Sequence, residues 1–78
     1  MRSMPNPQPA LGAAIRLLRN KAGKTQESLA DESGVKVAQI TLIESGGGDP
    51  PWTSVIALID ALGVSLGELA TEVENKRY

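Results

Sequence analysis

The sequence predicts an all-α fold of five short helices. Three observations carry this. Apolar residues recur at three-and-four spacing, the period of one helix face. No stretch alternates with the period of a strand or is rich in β-branched residues. Glycine and proline punctuate the chain at intervals that suit short helices and tight turns.

Residues 1–9 hold Pro5, Pro7 and Pro9 and almost nothing apolar, which predicts a disordered or extended tail. The first helix follows, with Leu11, Ala14, Ile15, Leu18 and Ala22 on its inward face and Gly23 as its stop. Thr25 suits an N-cap, and Glu27 sits in the first turn of the second helix, where the dipole favours an acid. Leu29, Ala30 and Ser33 face inward, and Gly34 ends this helix. The third runs from about Val37 to Ser45, with Val35, Ile40 and Ile43 inward. Ser45-Gly46-Gly47-Gly48-Asp49-Pro50-Pro51 is the clearest loop in the chain. The fourth helix carries Val55, Ile56, Leu58, Ile59 and Leu62 and stops at Gly63. Trp52 is expected to anchor the core at its start, the alternative being an exposed aromatic for a partner. Ser65-Leu66-Gly67-Glu68 has the form of a capping box. It opens a fifth helix with Leu66, Leu69 and Val73 inward, and residues 75–78 are expected to fray. The folded domain is thus placed at residues 10–74, with no internal repeat.

At 78 residues and 8.2 kDa there is room for one small domain. With one Trp, one Tyr and no Phe, its core must be aliphatic. Histidine and cysteine are both absent. That removes disulfides, Cys/His zinc sites, thiol nucleophiles and imidazole acid–base chemistry. Asp31 with Glu32 and Glu72 with Glu74 read as solvated helix faces, and Gly46-Gly47-Gly48 has no following lysine to make a phosphate loop. No enzyme, metal, cofactor or small-molecule substrate is expected. The absence of a bilayer-length apolar run and of an apolar stretch in the first residues points to a cytoplasmic protein without a membrane partner.

The net charge is −1, but residues 1–24 carry +5 with no acid, while residues 25–44 and 45–78 carry −3 each. The basic quarter could face an anion, or these charges could be solvated helix faces.

One spacing stands out: Gln26, Ala30, Gly34, Ile40 and Ile43. A small Ala30 lets the third helix cross close over the second. Gly34 permits a left-handed turn between them, and the two isoleucines fill the core beneath. Two helices joined at a steep angle by a short glycine turn form a helix-turn-helix.

Residues 11–69 resemble the helix-turn-helix domain of the Xre/Cro/C1 family, the lambda-repressor-like domain. The matching stretches are Leu18-Arg19, Thr25 through Ala30, Ser33-Gly34-Val35, Ile40 through Glu44, Gly46, Pro50 and Ala61 through Ser65. The resemblance implies a third helix that enters the major groove of double-stranded DNA, and a homodimer. It implies that Gln26 and the start of the second helix meet a phosphate, with Thr25 adding a second contact. Arg19 and Glu44 would form a structural pair tying the first helix to the end of the third. Base-facing positions would be Val37, Ala38 and Leu42, with Gln39 and Thr41 beside them. Phosphate cations would be Lys24, Lys36, Arg16 and the tail's Arg2.

Three departures from the family pattern matter. Val37, Ala38 and Leu42 are apolar where polar or basic side chains are common, so they could touch thymine methyls but not read G against A. The glycine loop carries Asp49 and no cation. Lys36 also stands where a Ser or Thr cap is common, so the third helix is expected to begin loosely. The most direct reading is a sequence-specific transcriptional regulator. The alternative is the same fold used as a protein-interaction or antitoxin-like module, with its partner on the apolar face of the third helix.

Overall fold

The computed structural model describes residues 7–77. It contains five helices: α1 (Pro7–Lys21), α2 (Gln26–Ser33), α3 (Val37–Glu44), α4 (Trp52–Leu62) and α5 (Leu66–Arg77). No strand occurs among the described residues.

The helix ends follow from local chemistry. Thr25 caps α2, its hydroxyl accepting from the Ser28 N–H at 3.0 Å. Gly34 closes α2 in the left-handed region (φ 77°), with its N–H on the Ala30 carbonyl. Ser65 and Glu68 form the reciprocal capping box of α5: each side chain accepts from the other's backbone N–H at 3.0 Å. Lys36 at the start of α3 makes no side-chain cap bond, so that end is held only by its backbone.

One aliphatic core joins the helices. Ala14, Ile15 and Leu18 from α1 meet Leu29, Val35, Ile40 and Ile43 from the α2–α3 unit. Val55, Leu58, Ile59 and Leu62 from α4 and Leu69 from α5 complete it. α1 packs mainly on α5 and α3, and α2 packs on α4 and α3. The result holds α3 against the rest of the domain by one side while its opposite side faces out.

Several expectations are corrected. The tail does not extend to Pro9, because α1 begins at Pro7. The first four N–H groups of a helix have no intrahelical partner, so Pro7 and Pro9 lose nothing in that turn. Ala10 is then buried, and the expected tail's residues 1–6, Arg2 included, lie outside the described residues. At the other end α5 stays helical through residues 75–77, where Lys76 suits the negative end of the dipole. The expected fray at Tyr78 lies outside the described residues.

Trp52 does not anchor the core; it is 61% exposed. It is the first residue of α4, and a helical Cα–Cβ bond tilts toward the N-terminus. The indole therefore projects past the helix end, onto an open apolar groove of about 530 Å³. Leu66 is 44% exposed for the same reason at the start of α5 and lines that groove rather than the core. Ala22 lies beyond the last residue of α1 and is exposed, because the chain has already entered the turn at Gly23. Ser33 is half-buried, its hydroxyl accepting from the Val35 N–H at 3.1 Å.

Gly12 is the tightest point of the fold. It is buried in α1, and a Cβ placed there would collide with the Ile43 carbonyl oxygen and lie 3.1 Å from the Glu44 carbonyl carbon. Both are backbone atoms of α3 and cannot rotate away. Gly12→Ala should therefore destabilise the domain by about 3 kcal/mol, the upper range for overpacking. Gly67→Ala on exposed α5, where the nearest atom is 3.8 Å away, should raise stability slightly by the helix-propensity gain. Thermal melts of the two variants check the contrast; equal melting temperatures would contradict it.

Candidate nucleic-acid interface

The end of α3 is fastened to α1 by an ion pair. The Arg19 guanidinium donates from Nε to Glu44 Oε2 at 2.7 Å and from Nη2 to Glu44 Oε1 at 2.9 Å. Nη1 donates to the Lys24 carbonyl at 2.9 Å, so the same side chain also holds the α1–α2 turn. The two side chains retain 12% and 5% exposure. A parallel two-bond fork of this kind fixes direction as well as distance.

Gln26 joins this junction instead of standing free. Its Nε2 donates to Glu44 Oε1 at 3.1 Å, and its Oε1 accepts from the Thr41 hydroxyl at 2.9 Å. Arg16, Arg19, Gln26, Thr41, Glu44 and Ser45 together line a polar recess of about 280 Å³ where α1, α2 and α3 meet.

Burial pushes the Glu44 carboxyl upward, but the bonds from Arg19 and Gln26 and the charges of Arg19 and Arg16 outweigh it, leaving Glu44 below the usual carboxylate range. Arg19 is raised, chiefly by its bond to Glu44. Glu32 is lowered, chiefly by the bond from Lys24.

The base-facing candidates are not all equally presented. Ala38, Thr41 and Leu42 are exposed, whereas Val37 and Gln39 are half-buried. Gln39 Nε2 donates to the Ser54 hydroxyl at 3.3 Å, which turns its amide toward α4. Leu42 is 50% exposed and lies over the glycine loop: a Cβ at Gly47 or Gly48 would come within 2.9 Å of its methyl carbons. Those glycines thus make room for Leu42, beyond simply forming a loop. Gly46 likewise seats the start of α1, since its Cβ would lie 3.1 Å from Pro9 Cα.

Among the phosphate candidates, Arg16, Lys36 and Thr25 are exposed. Lys24 Nζ is 2.7 Å from Glu32 Oε1, and Ser28 Oγ donates to the same carboxylate at 3.2 Å. Much of the Lys24 charge is therefore answered within the protein. Sequence reasoning missed the tie between Gln26 and Thr41, the support of Leu42 by the loop, and Gly12. Only Gly12 leaves a signal: a glycine inside a helical apolar stripe marks close backbone approach.

The helix-turn-helix domain family matches residues 10–72. The chain belongs to that family. This helix-turn-helix protein is 37% identical over 51 residues to the cryptic phage CTXphi transcriptional repressor RstR of Vibrio cholerae serotype O1. The match covers 65% of this chain and 46% of the repressor, so the helix-turn-helix protein spans under half the length of that relative. The crystal structure of the clp gene regulator ClgR from C. glutamicum superposes on it with a TM-score of 0.89 at 27% identity, covering 100% of both chains.

The ion pair generates a pH prediction. A carboxyl lowered by folding contributes stability that is present above its unfolded value, about 4.3, and is lost as pH falls through its native value. Glu44→Gln should cost about 2 kcal/mol at pH 7, between the values for exposed and buried pairs. It should also flatten the loss of stability as pH falls below about 5, because the titrating group is gone. Arg19, being raised, would lose its contribution only as pH rises through a strongly basic value. Urea unfolding across that acid range checks the slope; parallel pH profiles for the two proteins would contradict the assignment.

Proposed function

We propose that this chain is a double-stranded-DNA-binding transcriptional regulator of the Xre/Cro/C1 type. The observation that carries the reading is the placement of α3. It is locked from behind by the Arg19–Glu44 fork and offers Ala38, Thr41 and Leu42 outward on one face. α3 would lie in the major groove, with Val37 and Gln39 at its edges. The N-terminus of α2, with Thr25 and Gln26, would meet a phosphate through backbone N–H groups and the helix dipole. Arg16 and Lys36 supply the exposed cations, and Lys24 contributes less because Glu32 shares its charge. Descriptions of both relatives as a transcriptional repressor and a gene regulator support this reading.

Finer parts belong to the same proposal. The protein acts as a homodimer on a near-palindromic site, with Trp52 and Leu66 beside the α4–α5 groove as candidates for the contact. Its work is binding and not catalysis, in the cytoplasm. No single helix among the described residues is long and apolar enough to cross a membrane. The second reading, a protein-interaction or antitoxin-like module, is favoured by the exposed indole of Trp52.

Fluorescence anisotropy with random duplex DNA at several salt concentrations tests the reading. Two free cations per protomer, with Lys24 largely answered by Glu32, predict a log–log salt slope of roughly −2 per protomer, shallow for this class. Selection from a randomised duplex library should then enrich a two-fold symmetric, thymine-containing site that takes two protomers. No binding even at low salt would reject the DNA reading in favour of the protein-interaction one.

A further inference from the structure

The Arg19–Glu44–Gln26–Thr41 chain has a direction. Glu44 is held ionised by the Arg19 fork, so both of its oxygens can only accept. The Gln26 amide must then turn its nitrogen toward Glu44, which it does at 3.1 Å. That leaves the Gln26 carbonyl oxygen facing Thr41. A carbonyl oxygen cannot donate, so the Thr41 hydroxyl must spend its one hydrogen on it, at 2.9 Å. Reversing the amide would set its carbonyl against the carboxylate and lose that bond, and its nitrogen would then donate to the hydroxyl; the acceptor-only carboxylate is what selects the observed orientation. The polarity of the exposed end of the chain is thereby fixed from the partly buried end.

From this direction we infer that Thr41 is a specificity-determining residue that reads an exocyclic amino group, on adenine or cytosine, as an acceptor only. The inference rests on the DNA-binding reading above. A free threonine hydroxyl reads either donors or acceptors and discriminates little. In this junction its hydrogen is already engaged, so the exposed residue has only acceptor capacity left to offer. In the major groove adenine N6 and cytosine N4 carry donor hydrogens, while guanine O6 and N7 and thymine O4 only accept. Thr41 therefore welcomes the first pair and repels the second, lone pair against lone pair. The remaining outward residues of α3, Ala38 and Leu42, have no polar side-chain atoms, so this one hydroxyl carries much of the hydrogen-bond readout of the exposed face. Gln26 is the positioning residue: it sets which way the hydroxyl points.

The test is a library selection on the wild-type protein, Thr41→Val and Thr41→Ser. One position of each half-site should favour adenine or cytosine on one strand. That preference should vanish in Thr41→Val, survive in Thr41→Ser, and leave the other positions unchanged. The wild-type protein alone supplies a second measurement that needs no variant to fold. Replacing the preferred base by its analogue lacking the exocyclic amino group should weaken wild-type binding roughly two- to tenfold, the worth of one hydrogen bond. Unchanged affinity for the analogue, a guanine or thymine preference at the Thr41-dependent position, or identical specificity in Thr41→Val would each overturn the inference while leaving DNA binding intact. Failure of the wild-type protein to bind any duplex would instead overturn the DNA reading, and the inference with it.

Discussion

The fork between Arg19 and Glu44 is the contact on which the outward face of α3 depends. α3 is only eight residues long and begins without a side-chain cap. A helix of that length is marginal on its own and takes its position from tertiary contacts. Ile40 and Ile43 supply the apolar part of that hold. They fix depth in the core but act without direction. The fork adds direction, because two parallel bonds admit one orientation of the carboxylate. With Gly12 letting the α1 and α3 backbones touch, the last turn of α3 is pinned in both rotation and distance.

The same junction organises the surface. Gln26 would be an exposed amide at the head of α2 in the absence of Glu44. Instead it is drawn inward, and Thr41 with it. This divides the work at the proposed interface. Backbone N–H groups at the head of α2 and the cations Arg16 and Lys36 serve the phosphates. The Gln26 side chain serves the interior and sets the chemistry of α3. Lys24 is engaged with Glu32, so attraction between this domain and a polyanion is modest, and recognition must lean on shape and close contact.

The core was largely legible in the sequence because apolar spacing reports which face is buried, and every buried aliphatic from Ala14 to Leu69 lies on a predicted face. Helix ends marked by specific chemistry, Thr25, Gly34 and the Ser65–Glu68 box, were legible because capping depends on residues adjacent in sequence. The errors fall where a residue's effect depends on its place within an element. Prolines read as helix breakers at Pro7 and Pro9, yet in the first turn they break no bond. Trp52 and Leu66 are apolar but open their helices, so their side chains overshoot the core. At the candidate site, the pairing of Arg19 with Glu44 entered through family resemblance. The tie of Gln26 to Thr41, fifteen residues apart, leaves no trace in spacing.

The most direct test of the fork's role is a double-mutant cycle on Arg19→Met and Glu44→Met, read by urea unfolding at neutral pH. Each single variant strands a partly buried charge, while the double variant strands none. The fork predicts a coupling of about 1.5 kcal/mol or more, with the double variant at least as stable as the worse single one. Effects that add to within about 0.5 kcal/mol would show that α3 is held by its apolar contacts alone, and would contradict the central role of the ion pair.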